Sequence, residues 1–221
     1  MLCDICHNEM DFYAKDLRRC QNDGLISSVL KARVEIYDKE YHQKHVTYAH
    51  NDIDVELQRI RTDFVLKNTE EHERGEILDI GCGNGSFLRS LDGNFGIKRG
   101  FDINPYENFT RIDFLLQSHD VITLWDCIEH LESPFNFLRG LRANKVFITS
   151  PQTDCLKTRD DMMTWRHYRP HEHVHYFNLQ SLTALLNKCG YEIIDYNFGE
   201  STVRKAGGEN NLLSIAGKKN V

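Results

Sequence analysis

The sequence predicts an α/β fold: a parallel sheet with helices on both faces, preceded by a small cysteine-bearing segment. Three observations carry that expectation. From residue 76 onward, apolar strand-like stretches alternate with helical ones, the pattern of parallel strands joined by crossover helices. The first of those strands runs directly into three glycines in five positions, "GCGNG" at 81–85. At the N-terminus Cys3 and Cys6 form a C-x-x-C, in a segment too short to build a core of its own.

In chain order, residues 1–28 are short, Cys-bearing and loop-like. Residues 29–74 are polar and mostly helical in pattern. There Ile53, Leu57, Ile60, Phe64 and Val65 recur at helical spacing, with Asp52 or Asp54 placed to cap and Gly75 to stop. Residues 75–221 carry the sheet. "EILDIG" (76–81) is a buried strand, and "GSFLRSLDG" (85–93) is a helix ended by Gly93. "IKRGFDIN" (97–104), "DVITLWD" (120–126) and "NKVFITSP" (144–151) are the next strands, with helical "CIEHLESPFNFLRGL" between the last two. "SLTALLNKCG" (181–190) is a helix capped by Ser181 and stopped by Gly190. "YEIIDYNFG" (191–199) and "NNLLSIAGK" (210–218) are late strands around a turn-rich connection.

A length of 221 residues suits one α/β domain plus a small appendage, and 40% hydrophobic residues support a core. The formal charge of −6 speaks against a broad basic footprint for duplex nucleic acid, without removing a local groove. No apolar run approaches the roughly 18 residues of a membrane span. The first residues lack the charged-then-apolar pattern of an export signal. Seven cysteines, an odd number, fit a reducing cytoplasm with some thiols as metal ligands.

The glycine loop follows a strand and opens a helix, the setting in which such a loop marks a nucleoside or dinucleotide site. Its spacing is G-x-G-x-G, with Ser86 where a dinucleotide fingerprint has its third glycine. Asp102 ends the next strand, 21 residues after Gly81, where a carboxylate faces the ribose hydroxyls of a ligand lying across the strand ends. Asp79, just before the loop, is placed to orient it or to meet a cationic group.

"ILDIGCGNGSFL", "GFDINP", "DVITLWDCIEHLESP", "VFITSP" and "HYFNLQSLTALLNKCGYEIID" together resemble the class I S-adenosylmethionine-dependent methyltransferases over about residues 76–219. The resemblance implies a Rossmann-like sheet, mostly parallel with its last strand antiparallel. It implies that Asp79, Gly81 and Gly83 line the methionine moiety of the cofactor and that Asp102 binds its ribose. Cys82 and Ile103 belong to the same cofactor-binding set, and Trp125 and Asp126 lie near the cofactor. One departure is visible. Only 17 residues separate Asp102 from Asp120, where the family fits a helix and another strand. "FTRIDF" leaves room for a short strand, and Asp113 is the acid available for the adenine edge.

Cys3, Cys6 and Cys20 are three thiolates of a structural zinc site, with Asp23 as fourth ligand in place of a second C-x-x-C and His7 as its rival. "RCQNDGLI" resembles the half-knuckle that precedes some methyltransferase domains, with its second Cys replaced, and "YDKEYHQKH" (37–45) resembles the stretch that follows that knuckle. "MMTWRHYRPHEHVHYF" (162–177) holds His167, His171, His173 and His175. Alternation would place the last three on one face of an extended segment. "EHVHYF" resembles the "EH-x-x-YF" of zinc-knuckle sugar C-methyltransferases, which implies acid/base roles for Glu172 and His173, although Pro170 replaces their tyrosine. Asp126, Glu129 and His130 fall at i, i+3 and i+4, one face of a helix. That resembles the metal-assisted site of quinone O-methyltransferases. Histidine is the side chain suited to a general base, with His173 the first candidate and His130 the second.

The function these features predict is methyl transfer from S-adenosylmethionine to a small-molecule acceptor, such as a sugar nucleotide or a phenol. A nucleic-acid or protein methyltransferase and a catalytically silent binding subunit are the alternatives.

Overall fold

The computed structural model describes residues 1–36, 40, 52–103, 112–204 and 211–220. Its N-terminal part is not loop-like, as its composition predicts, but a small antiparallel sheet. Strands β1 (Asp11–Ala14), β2 (Leu17–Arg19) and β3 (Ile26–Ser28) pair in order. Helix α1 (Asp52–Lys67) follows, with Asp52 and Asp54 in its first turn and Lys67 in its last, the charge order that complements the helix dipole. It ends well before Gly75.

The main sheet starts with β4 (Glu76–Ile80) and continues through short helix α2 (Ser86–Ser90), β5 (Ile97–Phe101) and β6 (Ser118–Trp125). Ile112–Leu116 is a 3-10 turn, not a strand, and the rest of "FTRIDF" lies outside the described residues. The single helix expected over 127–141 divides into a 3-10 turn (Ile128–His130) and α3 (Pro134–Gly140). Pro134 forces the break, because the residue before a proline is pushed out of the helical region; Ser133 sits at φ −137°, ψ 83°. Then come β7 (Arg142–Pro151), α4 (Arg159–Thr164), the short strand β8 (His175–Tyr176) and α5 (Leu179–Lys188). The cap of α5 is Asn178, which accepts from the Ser181 N–H, while Ser181 answers from the third helical position. The chain closes with β9 (Tyr191–Asn197) and β10 (Leu212–Lys219).

The six-stranded order is β5-β4-β6-β7-β10-β9. The pairs β5–β4, β4–β6 and β6–β7 are parallel, and β10 runs antiparallel to both neighbours. The sheet is thus mostly parallel with its last strand antiparallel, as the resemblance implies. Side chains alternate between two buried faces. Ile77, Val121 and Phe147 meet Phe64, Val65 and Phe87 from α1 and α2. Leu78, Ile122, Ile148 and Ile215 meet Leu138, Leu182 and Leu185 from α3 and α5. Cys3, Ile5, Cys20 and Leu25 of the N-terminal segment pack into this second face. Asp4 accepts from the Ser133 hydroxyl and the Phe135 N–H, both at 2.7 Å, at the start of α3. Strand β3 pairs with β8, so the small sheet is completed by a residue pair from the histidine-rich stretch. Among the described residues no helix is long and apolar enough to cross a membrane.

Candidate active site

The chain leaves β4 between β5 and β6, which lie on its opposite sides. That is where the strand order reverses, and the crevice beyond the carboxyl ends there is the usual ligand position in such sheets. The glycine loop turns over it. Gly81 and Gly83 have φ of +76° and +50°, the left-handed region that a Cβ penalises. A side chain at Gly81 would also press on the Cys127 sulfur at 3.1 Å. Gly81 donates its N–H to the Phe101 carbonyl at 2.8 Å, and Gly83 donates to Asp102 Oδ2 at 2.8 Å. Asp102 therefore stands beside the bend, and Ile103 next to it is exposed. Cys82 and Trp125 are buried on the α1–α2 face, where Trp125 meets Phe87 edge-on at 5.1 Å.

Asp126 follows β6 at φ +50°, a conformation a non-glycine residue holds only when its surroundings fix it. Two arginines fix it. Arg61 of α1 donates to Asp126 Oδ2 at 2.6 Å, and Arg204 donates to both Asp126 oxygens at 2.7 and 2.8 Å. Arg61 also pairs with buried Glu200 at 2.8 and 2.9 Å and lies over the Trp125 ring, 5.2 Å from its centre. Burial opposes the Asp126 charge, but Arg204 and Arg61 outweigh it and hold the carboxyl well below the usual range. The left-handed turn sends Asp126 to the arginines, so it does not share a helical face with Glu129 and His130.

Those two meet His173 instead. Donor atoms of Glu129, His130 and His173 lie within 4.8 Å of one another. The His130 and His173 rings meet edge-on at 4.7 Å, and His167 stacks on His173 at 6.3 Å. Burial pushes His173 down to about 2 and His167 to about 4. Both imidazoles are thereby held in the neutral form. Glu172 is held by Arg169 at 2.8 Å, and its carbonyl meets His130 Nδ1 at 3.0 Å. The one-face arrangement expected for His171, His173 and His175 does not form, because only 175–176 is strand. Half-buried His171 sits at φ +69° against the Lys31 carbonyl, while His175 bonds the Ser27 hydroxyl at 2.8 Å.

At the N-terminus, Cys3, Cys6, Cys20 and Asp23 offer four ligand atoms within 4.8 Å of one another. Cys3 Sγ lies 3.2 Å from Asp23 Oδ2, and Cys6 Sγ lies 3.4 Å from Cys20 Sγ. Asp23 Oδ1 accepts the Leu25 N–H at 3.0 Å, which orients the carboxylate. His7 stands apart from this cluster, its ring edge-on to Phe135 at 5.7 Å.

Residues 48–196 match the family described as a methyltransferase domain. The chain belongs to that family. Among solved structures, this methyltransferase resembles a S-adenosylmethionine-dependent methyltransferase from Archaeoglobus fulgidus, with 17% identity, a TM-score of 0.53 and coverage of 73% of this chain and 94% of that one. It also resembles one from Methanosarcina mazei, with 16% identity, a TM-score of 0.52 and coverage of 72% and 97%. The small RNA methyltransferase HEN1 matches at 18% identity and a TM-score of 0.52, over 74% of this chain and 25% of that one. No curated protein matches the sequence significantly.

Within the methyltransferase domain, Asp79 is buried and accepts from the Thr123 hydroxyl at 2.6 Å. Burial pushes its carboxyl up to about 7. Since the unfolded value lies near 3.8, the folded state binds the extra proton between these limits. Stability from this group therefore falls as pH rises from about 4 to about 7. Asp79→Asn should remove that slope: melting curves of parent and variant should diverge across this interval, with the variant gaining relative to the parent. Parallel curves would refute it. Arg61, Glu200 and Arg204 went unnoticed at the sequence level, since nothing local marks the pairings of Arg61 with Asp126 and Glu200, 65 and 139 residues away, or of Arg204 with Asp126, 78 residues away.

Proposed function

We propose that the protein transfers a methyl group from S-adenosylmethionine to a small-molecule acceptor, such as a sugar nucleotide or a phenol. The observation that carries this reading is the Asp102 carboxylate held on the Gly83 N–H at 2.8 Å, over the carboxyl ends of β4 and β5. One oxygen receives the loop, and a carboxylate at this place is the acceptor for vicinal ribose hydroxyls. Asp79 and the bare backbone of Gly81–Gly83, with Cys82 between, take the methionine end, and Ile103 lies beside the nucleoside. Trp125 and Asp126, at the carboxyl end of β6, lie near the cofactor. The bound cofactor supplies an electrophilic methyl on a sulfonium; the protein's task is to hold the acceptor in line with it. Glu172, His173 and His130 border the acceptor side, where His130 is the partly exposed imidazole.

Calorimetric titration with S-adenosylmethionine, followed by a release assay for the demethylated product with sugar nucleotides and phenols, tests this reading. Binding plus turnover on one of these is expected. Binding without any turnover on them, but with salt-sensitive turnover on RNA, would overturn the small-molecule assignment; failure to bind at all would leave a silent scaffold.

The reading includes a structural zinc on Cys3, Cys6, Cys20 and Asp23. Tetrahedral zinc puts neighbouring thiolates roughly 3.8 Å apart, close to the spacing seen here. Burial pushes the Cys3 and Cys20 thiols up, a cost that a cation reverses. Stripping zinc with a chelator should expose these thiols to a thiol reagent and lower the melting temperature. Thiol reactivity unchanged by chelation, with no zinc in the untreated protein, would remove the metal.

A further inference from the structure

A buried carboxylate without donors is costly to keep. Glu129 is 1% exposed, and neither of its oxygens has a hydrogen-bond partner among the described residues. The Ser150 hydroxyl gives its hydrogen bond to the Pro151 carbonyl at 3.2 Å. His173, also buried, has an Nδ1 without a partner among the described residues. His130 completes the group. Its Nδ1 rests on the Glu172 carbonyl, and its Nε2 lies 3.9 Å from Glu129 Oε1. The donors come from two stretches, 129–130 and 173, drawn together where the Glu129 carbonyl accepts the Val174 N–H at 3.0 Å.

We infer that Glu129, His130 and His173 hold a divalent metal ion of the zinc type. Two imidazoles and one carboxylate form a donor set suited to that class, whereas magnesium prefers oxygen throughout. The Glu172 carbonyl acts as the outer partner that fixes the His130 ring, and His167 stacked on His173 limits that ring's movement. Asp126 is excluded from the set, since Arg61 and Arg204 occupy both of its oxygens. The ion would be reached from the His130 side, where the side chain is 18% exposed against 2% for Glu129. An acceptor oxygen entering there would find an open coordination position; that use of the ion rests on the methyl-transfer reading above, while the binding of the ion does not.

The test uses the full chain and zinc alone. Zinc is titrated beyond the equivalent taken by the thiolates, and the imidazole nitrogen resonances are followed by NMR. His130 and His173 should shift, while His175, whose Nδ1 bonds Ser27, should not. Glu129→Gln, checked for an intact circular dichroism spectrum, should lose one equivalent of bound zinc per chain and bind S-adenosylmethionine as the parent does. Unmoved His130 and His173 resonances in the parent would overturn the site without using any variant. So would magnesium producing the same shifts at lower concentration than zinc. Loss of S-adenosylmethionine binding by the parent would instead strike the methyl-transfer reading and leave the metal result standing.

Discussion

Arg61→Ala should cost about 3–5 kcal/mol of stability, the range for removing one partner from a buried ion pair. For a chain of this size that is a fall of roughly 10 °C in melting temperature. The reason is what remains behind. Glu200, 1% exposed, would keep among the described residues the Thr149 hydroxyl at 2.9 Å and Arg204 at 3.5 Å for its charge. Asp126 would keep Arg204 but lose the bond that ties it to α1. Trp125 would lose the guanidinium lying over its ring. The double variant Arg61→Met, Glu200→Leu removes both charges together and should recover a large part of the loss, since apolar replacement of a buried pair is often neutral. An Arg61→Ala protein that melts within about 1 °C of the parent would show that the guanidinium does not hold α1 over the strand ends.

Asp102→Ala should weaken S-adenosylmethionine binding by about 10- to 100-fold, the cost of leaving buried hydroxyls without their acceptor. Two losses combine. The ribose loses its carboxylate, and the Gly83 N–H loses the oxygen that holds the loop's left-handed bend. Asp102→Asn separates them, because its amide oxygen still accepts from Gly83. It should fall between parent and alanine variant. Calorimetry showing parent-like affinity for Asp102→Ala would remove the ribose role and, with it, the main support for the proposed function.

The histidine-rich stretch shows why local sequence reading stops where it does. His171, His173 and His175 alternate perfectly, and period 2 alone predicts one shared face. The chain instead makes a left-handed turn at His171 and enters a strand only at His175. Three similar residues thus become a half-buried turn residue, a buried member of an imidazole–carboxylate cluster and a strand residue bonded to Ser27. The N-terminal segment fails in the opposite sense. It reads as loop because each of its strands has three or four residues, too few to show a period. They are strands only because they pair with one another and with β8.

The sequence by itself determined the main sheet, the bend after β4, the carboxylate at the end of β5 and the cluster of Cys3, Cys6, Cys20 and Asp23. Each is encoded locally, by apolar runs, by glycines that alone tolerate a left-handed backbone at little cost, or by ligands spaced a few positions apart. Only the tertiary structure decided that Asp126 turns to Arg61 and Arg204, that Glu129 and His130 meet His173, and that the cysteine segment shares a core with α5. Those outcomes are settled by burial, which makes an unpaired charge or an unpartnered polar atom expensive wherever along the chain its partner resides.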